Sequence, residues 1–463
     1  MFSLSSSSLF TITISLGILL QAFLSDAHPS PSPAPTAAAQ LSATSLKAAI
    51  EADAATNTTA LLLEVLELPR SSAPTDASAV ISAVAQAAPT SIPEAEEEFV
   101  QVVLSGILRY TVDEVIDSKT PPPPSVNPPY HGWPPIYPKK CFDPVPNNDN
   151  KCDSKDAPYS LTETELRSAI DIPPTFTYGG KPPVIIVPGT ASTTNMTFAH
   201  NLFKELADSA FADIVWINNP GLSVEDAQVN AEYVAYAINY ISSISHPRNG
   251  DRNVSVIAFS QGTTNTQWAL KYWPSTRYIV SDFIALSPEF HGSTVSTLIY
   301  ETGCAPGFFQ HGYDSNYIAA LRSDGGDSAY VPTTTVYSSA DQYAFPQSGT
   351  NATGYMLDAR GVGVTNNEVQ LVCPAQPAGS AYTHEGILFN ALTYGLIKDA
   401  LENHGPGNMS RLGHGLCADY KDPKLDVTDM MYTESVAILQ TYNLLTYPDP
   451  VSVEPPLMSY AKQ

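Results

Sequence analysis

The sequence from about residue 156 onwards predicts an α/β fold with a mostly parallel sheet and helices on both faces. Strand-like runs that are apolar on both faces alternate there with segments of helical periodicity, which is typical of a parallel sheet between two helical layers. The predicted strands are Pro183–Pro188, Asp213–Ile217, Val254–Phe259, Asp282–Leu286, Thr333–Tyr337 and Val369–Val372. The predicted helices cover residues 197–209, 225–242, 263–273, 315–323, 385–401 and 428–445.

The first 118 residues differ in composition from the rest of the chain. Residues 1–27 are predicted to form a secretory signal peptide, because the apolar run Leu9–Leu24 is followed by small residues. An N-terminal membrane anchor is the alternative interpretation. Residues 28–118 begin with a Pro-rich leader and continue with short helical patterns rich in Ala, Leu and Glu. We expect them to form a small helical N-terminal region or a propeptide.

Residues 119–155 are predicted to be a Pro-rich linker that contains a small disulfide loop. Near its middle, Lys139-Lys140 could be a processing site that releases everything upstream, or simply two solvated lysines. The remaining residues, 156–463, are expected to form the α/β domain described above.

The net charge of −24 argues against binding to nucleic acids or to anionic membrane surfaces, because both would repel the chain. No spacing of residues resembles a zinc ligand set, so neither a metal nor another cofactor is expected. Five cysteines in a secreted chain suggest two disulfides and one free thiol. We expect the pairs Cys141–Cys152 and Cys373–Cys417, with Cys304 free. Possible N-glycosylation sites are Asn57, Asn195, Asn253, Asn351 and Asn408.

A strand that breaks off at Ser260-Gln261-Gly262 and restarts as a helix is the first candidate for chemistry. A serine on such a turn can expose its hydroxyl, and the next backbone N–H points at the same space from the positive end of the helix dipole. A nucleophile beside an oxyanion hole needs this arrangement. The usual motif is G-x-S-x-G, whereas this chain has Ala258, and many such turns carry an idle serine.

Ser260, Asp341 and His384 each follow a predicted strand, in this chain order. Active residues of open α/β sheets collect beyond the carboxyl ends of the strands, and the order Ser, Asp, His is that of the α/β-hydrolases. His384 would take the serine proton, and Asp341 would orient the imidazole. By position alone, other residues remain candidates for the base and the acid; they are His404, His414, Asp324, Asp327 and Asp358.

Two further positions could complete the site. Thr190 follows a strand and Pro188-Gly189, so that its backbone N–H and hydroxyl, with the backbone N–H of Gln261, could stabilise an oxyanion. Thr190 could equally close a turn. Glu289 also follows a strand, either as a polar group of the substrate pocket or as a solvated cap.

Five segments carry a family resemblance: Lys181–Thr194, Asp226–Tyr233, Phe259–Gly262, Val331–Asp341 and Glu454–Ala461. They resemble segments of the family of Candida antarctica lipase B, which consists of fungal secreted lipases. The resemblance covers about residues 156–463 and implies an α/β-hydrolase fold. It also implies a triad of Ser260, Asp341 and His384, an oxyanion hole from Thr190 and Gln261, and a Cys373–Cys417 disulfide.

The sequence departs from the family pattern in two places. Trp216 lies near the position where a cysteine of the family's first disulfide is expected. Phe259 replaces the tryptophan that precedes the nucleophile and shapes the alcohol side of the pocket, so that alcohol preference is in doubt. Residues 293–314 lie where the family carries a short mobile lid helix. Their Leu298, Ile299, Phe308 and Phe309 could bind an acyl chain or pack on the core.

These features together predict a secreted serine lipase or carboxylesterase that acts through an acyl-enzyme. Its expected partners are an ester or lipid substrate, at an oil–water interface where that substrate is insoluble; we expect a monomer. An acyltransferase or amidase would use the same triad with another nucleophile or substrate. A third hypothesis is a surface-binding protein whose hydrolase domain is catalytically silent.

Overall fold

The computed structural model describes residues 155–245, 254–297, 304–403, 405–445 and 447–462. Its seven strands are β1 (Ile170–Asp171), β2 (Pro183–Val187), β3 (Asp213–Ile217), β4 (Val254–Phe259), β5 (Val280–Leu286), β6 (Thr333–Tyr337) and β7 (Val364–Glu368). Its α-helices are α1 (Glu163–Ser168), α2 (Thr194–Phe198), α3 (Leu202–Leu206), α4 (Ala227–Ile244), α5 (Gln261–Tyr272), α6 (Thr294–Thr297), α7 (Pro306–Gln310), α8 (Asn316–Arg322), α9 (Val369–Val372), α10 (Ala391–Asn403), α11 (Met409–Leu412) and α12 (Val427–Leu445).

The strands form one sheet in the order β1-β3-β2-β4-β5-β6-β7. Strand β1 runs antiparallel to its neighbour, and all other pairs in this sheet are parallel. The carboxyl ends of β2, β4, β5, β6 and β7 therefore meet at one edge. The loops at this edge carry Thr190, Ser260, Glu289, Asp341 and His384.

Helices cover the sheet on both faces, as the apolar strands require. Along β2, Ile185 and Val187 belong to the core beneath α4 and α5, whereas Val184 and Ile186 belong to the core beneath α3 and α10. This alternation follows from the two-residue period of a strand. Every residue of β4 is buried, so the strand that ends at Ser260 lies in the middle of the molecule. The predicted α/β fold is confirmed.

Five of the six predicted strands are present, and the sixth prediction was wrong. Val369–Val372 is the short helix α9, and the strand at that edge of the sheet is Val364–Glu368. This strand reads Val-Thr-Asn-Asn-Glu and is half-buried over its first three residues. An edge strand with one neighbour tolerates polar residues, so a search for apolar runs missed it.

Two predicted helices are interrupted by asparagines. Asn201 separates α2 from α3, and its side chain accepts a hydrogen bond from the N–H of Leu202. Asn390 separates a 3₁₀ turn (Gly386–Phe389) from α10 and accepts from the N–H of Leu392. Asparagine competes in this way for backbone groups and favours helix starts.

The helical patterns expected before residue 119 lie outside the described residues. Within the described part of the chain, no helix has the length and apolar character needed to span a membrane.

Candidate active site

Ser260 forms the turn between β4 and α5, with φ 52° and ψ −128°. A non-glycine residue with positive φ is strained, and such strain is tolerated where the surrounding structure fixes the turn. The N–H of Ser260 donates to the carbonyl of Leu286 on β5 (3.0 Å). Gly262 allows α5 to approach β2, because a Cβ there would lie 2.6 Å from the carbonyl oxygen of Pro188. Ala258 is fully buried, which is consistent with a requirement for a small residue there.

His384 and Asp341 form a buried pair at the ends of neighbouring loops. Nδ1 of His384 lies 2.7 Å from Oδ2 of Asp341. The other carboxylate oxygen, Oδ1, accepts the N–H groups of Tyr343 (2.9 Å) and Ala344 (2.8 Å). These three bonds fix the carboxylate in orientation. The carboxylate accepts a hydrogen bond from Nδ1–H, so Nε2 is the ring nitrogen that remains available to a nucleophile.

The imidazole of His384 lies against the residue that precedes Ser260. The rings of His384 and Phe259 are 4.8 Å apart between centroids. Burial alone lowers the pKa of His384, but the charge and hydrogen bond of Asp341, with the carboxyls of Glu385 and Glu289, outweigh burial and raise it to about 9. An imidazolium at this position is therefore strongly stabilised.

Thr190 and Gln261 contact each other through their side chains. The Thr190 hydroxyl donates to Oε1 of Gln261 (2.6 Å), and Nε2 of Gln261 donates to the carbonyl of Ser223 (2.8 Å). The N–H of Gln261 is the first of α5, where the helix dipole is positive. Gly189 permits the close packing of this loop, since a Cβ there would lie 3.0 Å from Cβ of Ser260.

Three buried glutamates surround the Asp341–His384 pair. Burial is the largest cause of a raised pKa in each: to about 8 for Glu289, about 7 for Glu385 and about 8 for Glu434. Two of them are close to the pair, because the charge of His384 acts on the pKa values of Glu289 and Glu385. Sequence reasoning singled out Glu289 only. Glu385 follows His384 directly and could have been noticed, whereas Glu434 lies within a helix and carries no local signal.

Glu385 is connected to the backbone of His384 through Gln342. Nε2 of Gln342 donates to Glu385 (3.1 Å), and its Oε1 accepts the backbone N–H of His384 (2.9 Å). The hydroxyl of Ser287 donates to the carbonyl of His384 (2.7 Å). Both backbone groups of His384 are thus held by side chains from neighbouring loops.

Phe259 and Glu289 were expected to bind substrate, and both roles stay predictions. Phe259 is fully buried and packs between His384 and Phe198. Its ring therefore packs against the imidazole of His384. Glu289 is 6% exposed and follows β5 at the same edge of the sheet.

The competing residues lie apart from this arrangement or outside the described chain. His414 is exposed in a 3₁₀ turn, and His404 is outside the described residues. Asp358 accepts backbone N–H groups of a surface turn. Asp324 lies in another short turn. Of the candidate acids, Asp341 is the one that forms a hydrogen bond with His384.

Residues 293–314, which lie where the family carries a lid helix, include two short helices, α6 and α7, and residues between them that are not described. Phe308 of α7 is half-buried and packs against a small apolar cluster, and Phe309 is also half-buried. Leu298 and Ile299 lie outside the described residues. The other members of this cluster are Ala191, Val224, Ala305, Leu444 and Tyr447.

Cys373 and Cys417 form a disulfide (S–S 1.99 Å), and Cys304 is a buried free thiol. The proposed Cys141–Cys152 pair lies outside the described residues. Trp216, the first departure from the family pattern, packs on Phe203 (4.9 Å between ring centroids).

Three of the possible glycosylation sites can be placed. Asn195 and Asn351 are exposed and Asn408 is half-buried, while Asn57 and Asn253 lie outside the described residues. Among the residues that the structure describes, no group of three or more His, Cys, Asp or Glu could hold a metal ion.

The fold, with a strained serine and a buried His–Asp pair at the carboxyl ends of its strands, defines a hydrolase of the α/β-hydrolase class. No protein-family profile matches the chain. It is 27% identical to lipase B of Pseudozyma antarctica over 286 residues, which are 60% of this chain and 79% of the relative. The crystal structure of Aspergillus fumigatus lipase B is 34% identical, with a TM-score of 0.76, over 96% of this chain and 99% of that chain.

The chain belongs to the lipase B family and is a hydrolase of the lipase and esterase type. A match over 96% of the chain also extends into the first 155 residues, so the resemblance is broader than residues 156–463. Family membership alone assigns no role to individual residues.

Proposed function

We propose that the protein is a secreted serine lipase or carboxylesterase that hydrolyses carboxylic esters, including triacylglycerols, through an acyl-enzyme. The observation that carries the proposal is the buried hydrogen bond between His384 and Asp341 (2.7 Å) beside the strained Ser260. Phe259 links the two parts, because it precedes Ser260 and contacts the His384 ring. The relatives named lipase B support an ester or lipid as the substrate.

In the first half of the reaction, Ser260 attacks the ester carbonyl while Nε2 of His384 takes the hydroxyl proton. The backbone N–H groups of Thr190 and Gln261 stabilise the tetrahedral oxyanion, each worth about 3 kcal/mol of barrier. The imidazolium then gives its proton to the departing alcohol. In the second half, water loses a proton to His384 and attacks the acyl-enzyme. The bond between the acyl carbon and Oγ of Ser260 then breaks, the imidazolium returns its proton to Oγ, and the acid is released.

The charge distribution around His384 suits this sequence of proton transfers. Asp341 stabilises the imidazolium that forms in both halves, and the neighbouring acids add to this effect. A free enzyme with protonated His384 cannot accept the serine proton. Ester hydrolysis should therefore increase with pH as His384 loses its proton.

The decisive experiment replaces the nucleophile. Ser260→Ala should abolish hydrolysis of p-nitrophenyl esters and labelling by a fluorophosphonate probe. Ser255→Ala is the matched control, because Ser255 lies on the same strand and its hydroxyl pairs with that of Ser281 (2.9 Å) rather than with a triad residue. Unchanged hydrolysis by purified Ser260→Ala protein would show that Ser260 is not the nucleophile. Absence of probe labelling in the wild type would favour the silent surface-binding protein.

The processing of the chain is part of the proposal. Residues 1–27 would be removed on secretion, residues 28–118 would be a helical region or propeptide, and 119–155 a linker before the catalytic domain. Comparing ester hydrolysis by the full chain and by a chain that begins near Cys141 tests this division. Equal activities would exclude an inhibitory role for the leader, whereas a weaker full chain would support one.

A further inference from the structure

Helix α12 contacts both loops that form the proposed site, at different points along its length. Its first half is anchored to the body of the domain by Asp429, and Thr433 makes a separate contact with Asn201. Asp429 pairs with Lys204 and with Nδ1 of His200 (3.1 Å). Thr433 accepts a hydrogen bond from Nδ2 of Asn201 (3.1 Å).

Glu434 connects α12 to the loop of the base. Its two carboxylate oxygens lie 2.9 and 2.8 Å from Oγ1 of Thr383, the residue before His384. The same hydroxyl accepts the N–H of Gly386 (2.9 Å), which lies two residues after His384. The hydroxyl of Thr383 thus spans the turn that carries His384, and Glu434, which is 5% exposed, holds that hydroxyl.

Asn443 and Gln440 connect the second half of α12 to the oxyanion loop. Nδ2 of Asn443 donates to the carbonyl of Ala191 (2.8 Å), and Nε2 of Gln440 donates to Oγ of Ser192 (3.3 Å). Ala191 follows Thr190 directly and has a φ of 56°. A non-glycine residue in this conformation depends on its surroundings to hold it there. The amide of Asn443 supplies one such contact.

We propose that α12 is the positioning element of the site, in which Asn443 fixes Thr190 through the Ala191 carbonyl and Glu434 fixes His384 through Thr383. The inference rests on the proposed function. Because the helix is rigid and anchored at Asp429, it holds the loop of Thr190 and the loop of His384 in a fixed position relative to each other. From Glu434 to Asn443 the helix rises by about 13.5 Å, which is enough to reach from one loop to the other.

Such positioning matters because the reaction is sensitive to small displacements. Both donors of an oxyanion hole must point at the oxygen where charge develops, and a shift of about 1 Å can cost about 100-fold in rate. Neither Glu434 nor Asn443 needs to touch the substrate in this role. Their loss should lower kcat and leave substrate affinity nearly unchanged.

The experiment compares isosteric and apolar variants at both positions. Asn443→Asp keeps the shape and removes the donor, and Asn443→Leu also removes it. Glu434→Leu removes the acceptor for Thr383, whereas Glu434→Gln retains it. We expect kcat for a soluble p-nitrophenyl ester to fall about tenfold in the two Asn443 variants and in Glu434→Leu, with KM within about twofold of the wild type. Glu434→Gln should stay within about twofold of wild-type kcat, which is rescue by the conservative change.

A second readout separates positioning from general destabilisation. An alkyl boronic acid forms a tetrahedral adduct with an active serine, so its inhibition constant should rise about tenfold in both Asn443 variants. Thr433→Val is the control, because it removes a buried contact of α12 with Asn201 that reaches neither loop. It should lower the unfolding temperature and leave kcat and the inhibition constant unchanged.

Three results would overturn the proposal. One is wild-type kcat in the Asn443 variants and Glu434→Leu; another is an effect at only one of the two positions. The third is an equal fall of kcat in Thr433→Val, which would mean that α12 acts only through stability. An inactive wild type, or an active Ser260→Ala, would instead refute the proposed function itself. The two failures are therefore distinguishable.

Discussion

Replacing Asp341 by asparagine tests the assigned tautomer of His384 directly. Oδ1 of Asp341 accepts two backbone N–H groups, from Tyr343 and Ala344, and Oδ2 accepts Nδ1–H of His384. An asparagine has one acceptor oxygen, and the two backbone donors require it. The NH₂ group must then face His384, so that Nδ1 becomes an acceptor and Nε2 carries the proton. Such an imidazole cannot take the proton of Ser260.

The expected loss follows from this reversal of roles. In serine hydrolases, an imidazole held in the wrong tautomer lowers kcat about 10⁴-fold, which corresponds to about 5.5 kcal/mol of barrier. The two backbone bonds survive, so the free energy of unfolding should change by only about 1–3 kcal/mol for the lost charged hydrogen bond.

The assay is steady-state hydrolysis of a p-nitrophenyl ester, with thermal unfolding measured on the same preparations. Asp358→Asn is the matched control, because Asp358 also accepts two backbone N–H groups in a turn and contacts no histidine in the described chain. The control should keep wild-type kcat. If Asp341→Asn retains more than about a tenth of wild-type kcat, the assigned tautomer is wrong.

Two further predictions concern stability. Gly262→Ala should lower the free energy of unfolding by about 1–3 kcal/mol or prevent folding, because its Cβ would lie 2.6 Å from the Pro188 carbonyl oxygen. Gly415→Ala is the control, because a Cβ at that position has no neighbour within 4 Å. The control should be nearly neutral when both variants are unfolded with denaturant. The unfolding temperature should also fall as the pH rises from about 5 to about 8.5, because the folded protein binds more protons there than the unfolded chain. An unfolding temperature that stays constant or rises with pH would contradict the raised pKa values of the buried acids. Glu434→Gln removes one of these acids and should make the fall of the unfolding temperature with pH shallower.

The pH effect has the same sign for His384 and for the buried glutamates with raised pKa values. His291 and His311, whose pKa values are lowered from 6.5 to about 4 chiefly by burial, act in the opposite direction up to about pH 6.5 and reduce the fall there. The pKa of His384 is raised from 6.5 to about 9, so its contribution to stability is complete below pH 6.5 and is lost towards pH 9. Glu289 and Glu434 have pKa values raised from 4.5 to about 8, so stability is lost as the unfolded chain ionises and the folded one does not. His384, Glu289 and Glu434 therefore each lower stability as the pH rises.

The sheet was predictable from sequence because its central strands are apolar on both faces. Val254–Phe259 was identified with its observed bounds, and the turn at Ser260 followed from the change of periodicity. The edge strand Val364–Glu368 was missed, because polar residues at an edge give no apolar run. Strands and helices can therefore be predicted from the sequence where burial alone determines the residue type.

The candidate triad was predictable for a different reason. Nucleophile, acid and base each follow a strand, so local patterns and chain order locate them together. The contacts of Glu434 and Asn443 with these loops are tertiary. They join residues 51 positions apart (Thr383 to Glu434) and 252 positions apart (Ala191 to Asn443). A helix that is about as apolar as its neighbours gives no sign of which polar residue reaches a distant loop.

Catalysis and stability place opposite demands on the charges around His384. The base acts only after it has lost its proton, which the surrounding carboxyls oppose by raising its pKa to about 9. The same surroundings stabilise the imidazolium that forms once Ser260 has given up its proton. As the pH rises, the fraction of His384 able to act increases while the stability of the fold decreases. The pH optimum of hydrolysis should therefore depend on the assay temperature. It should move to lower pH as that temperature approaches the unfolding transition.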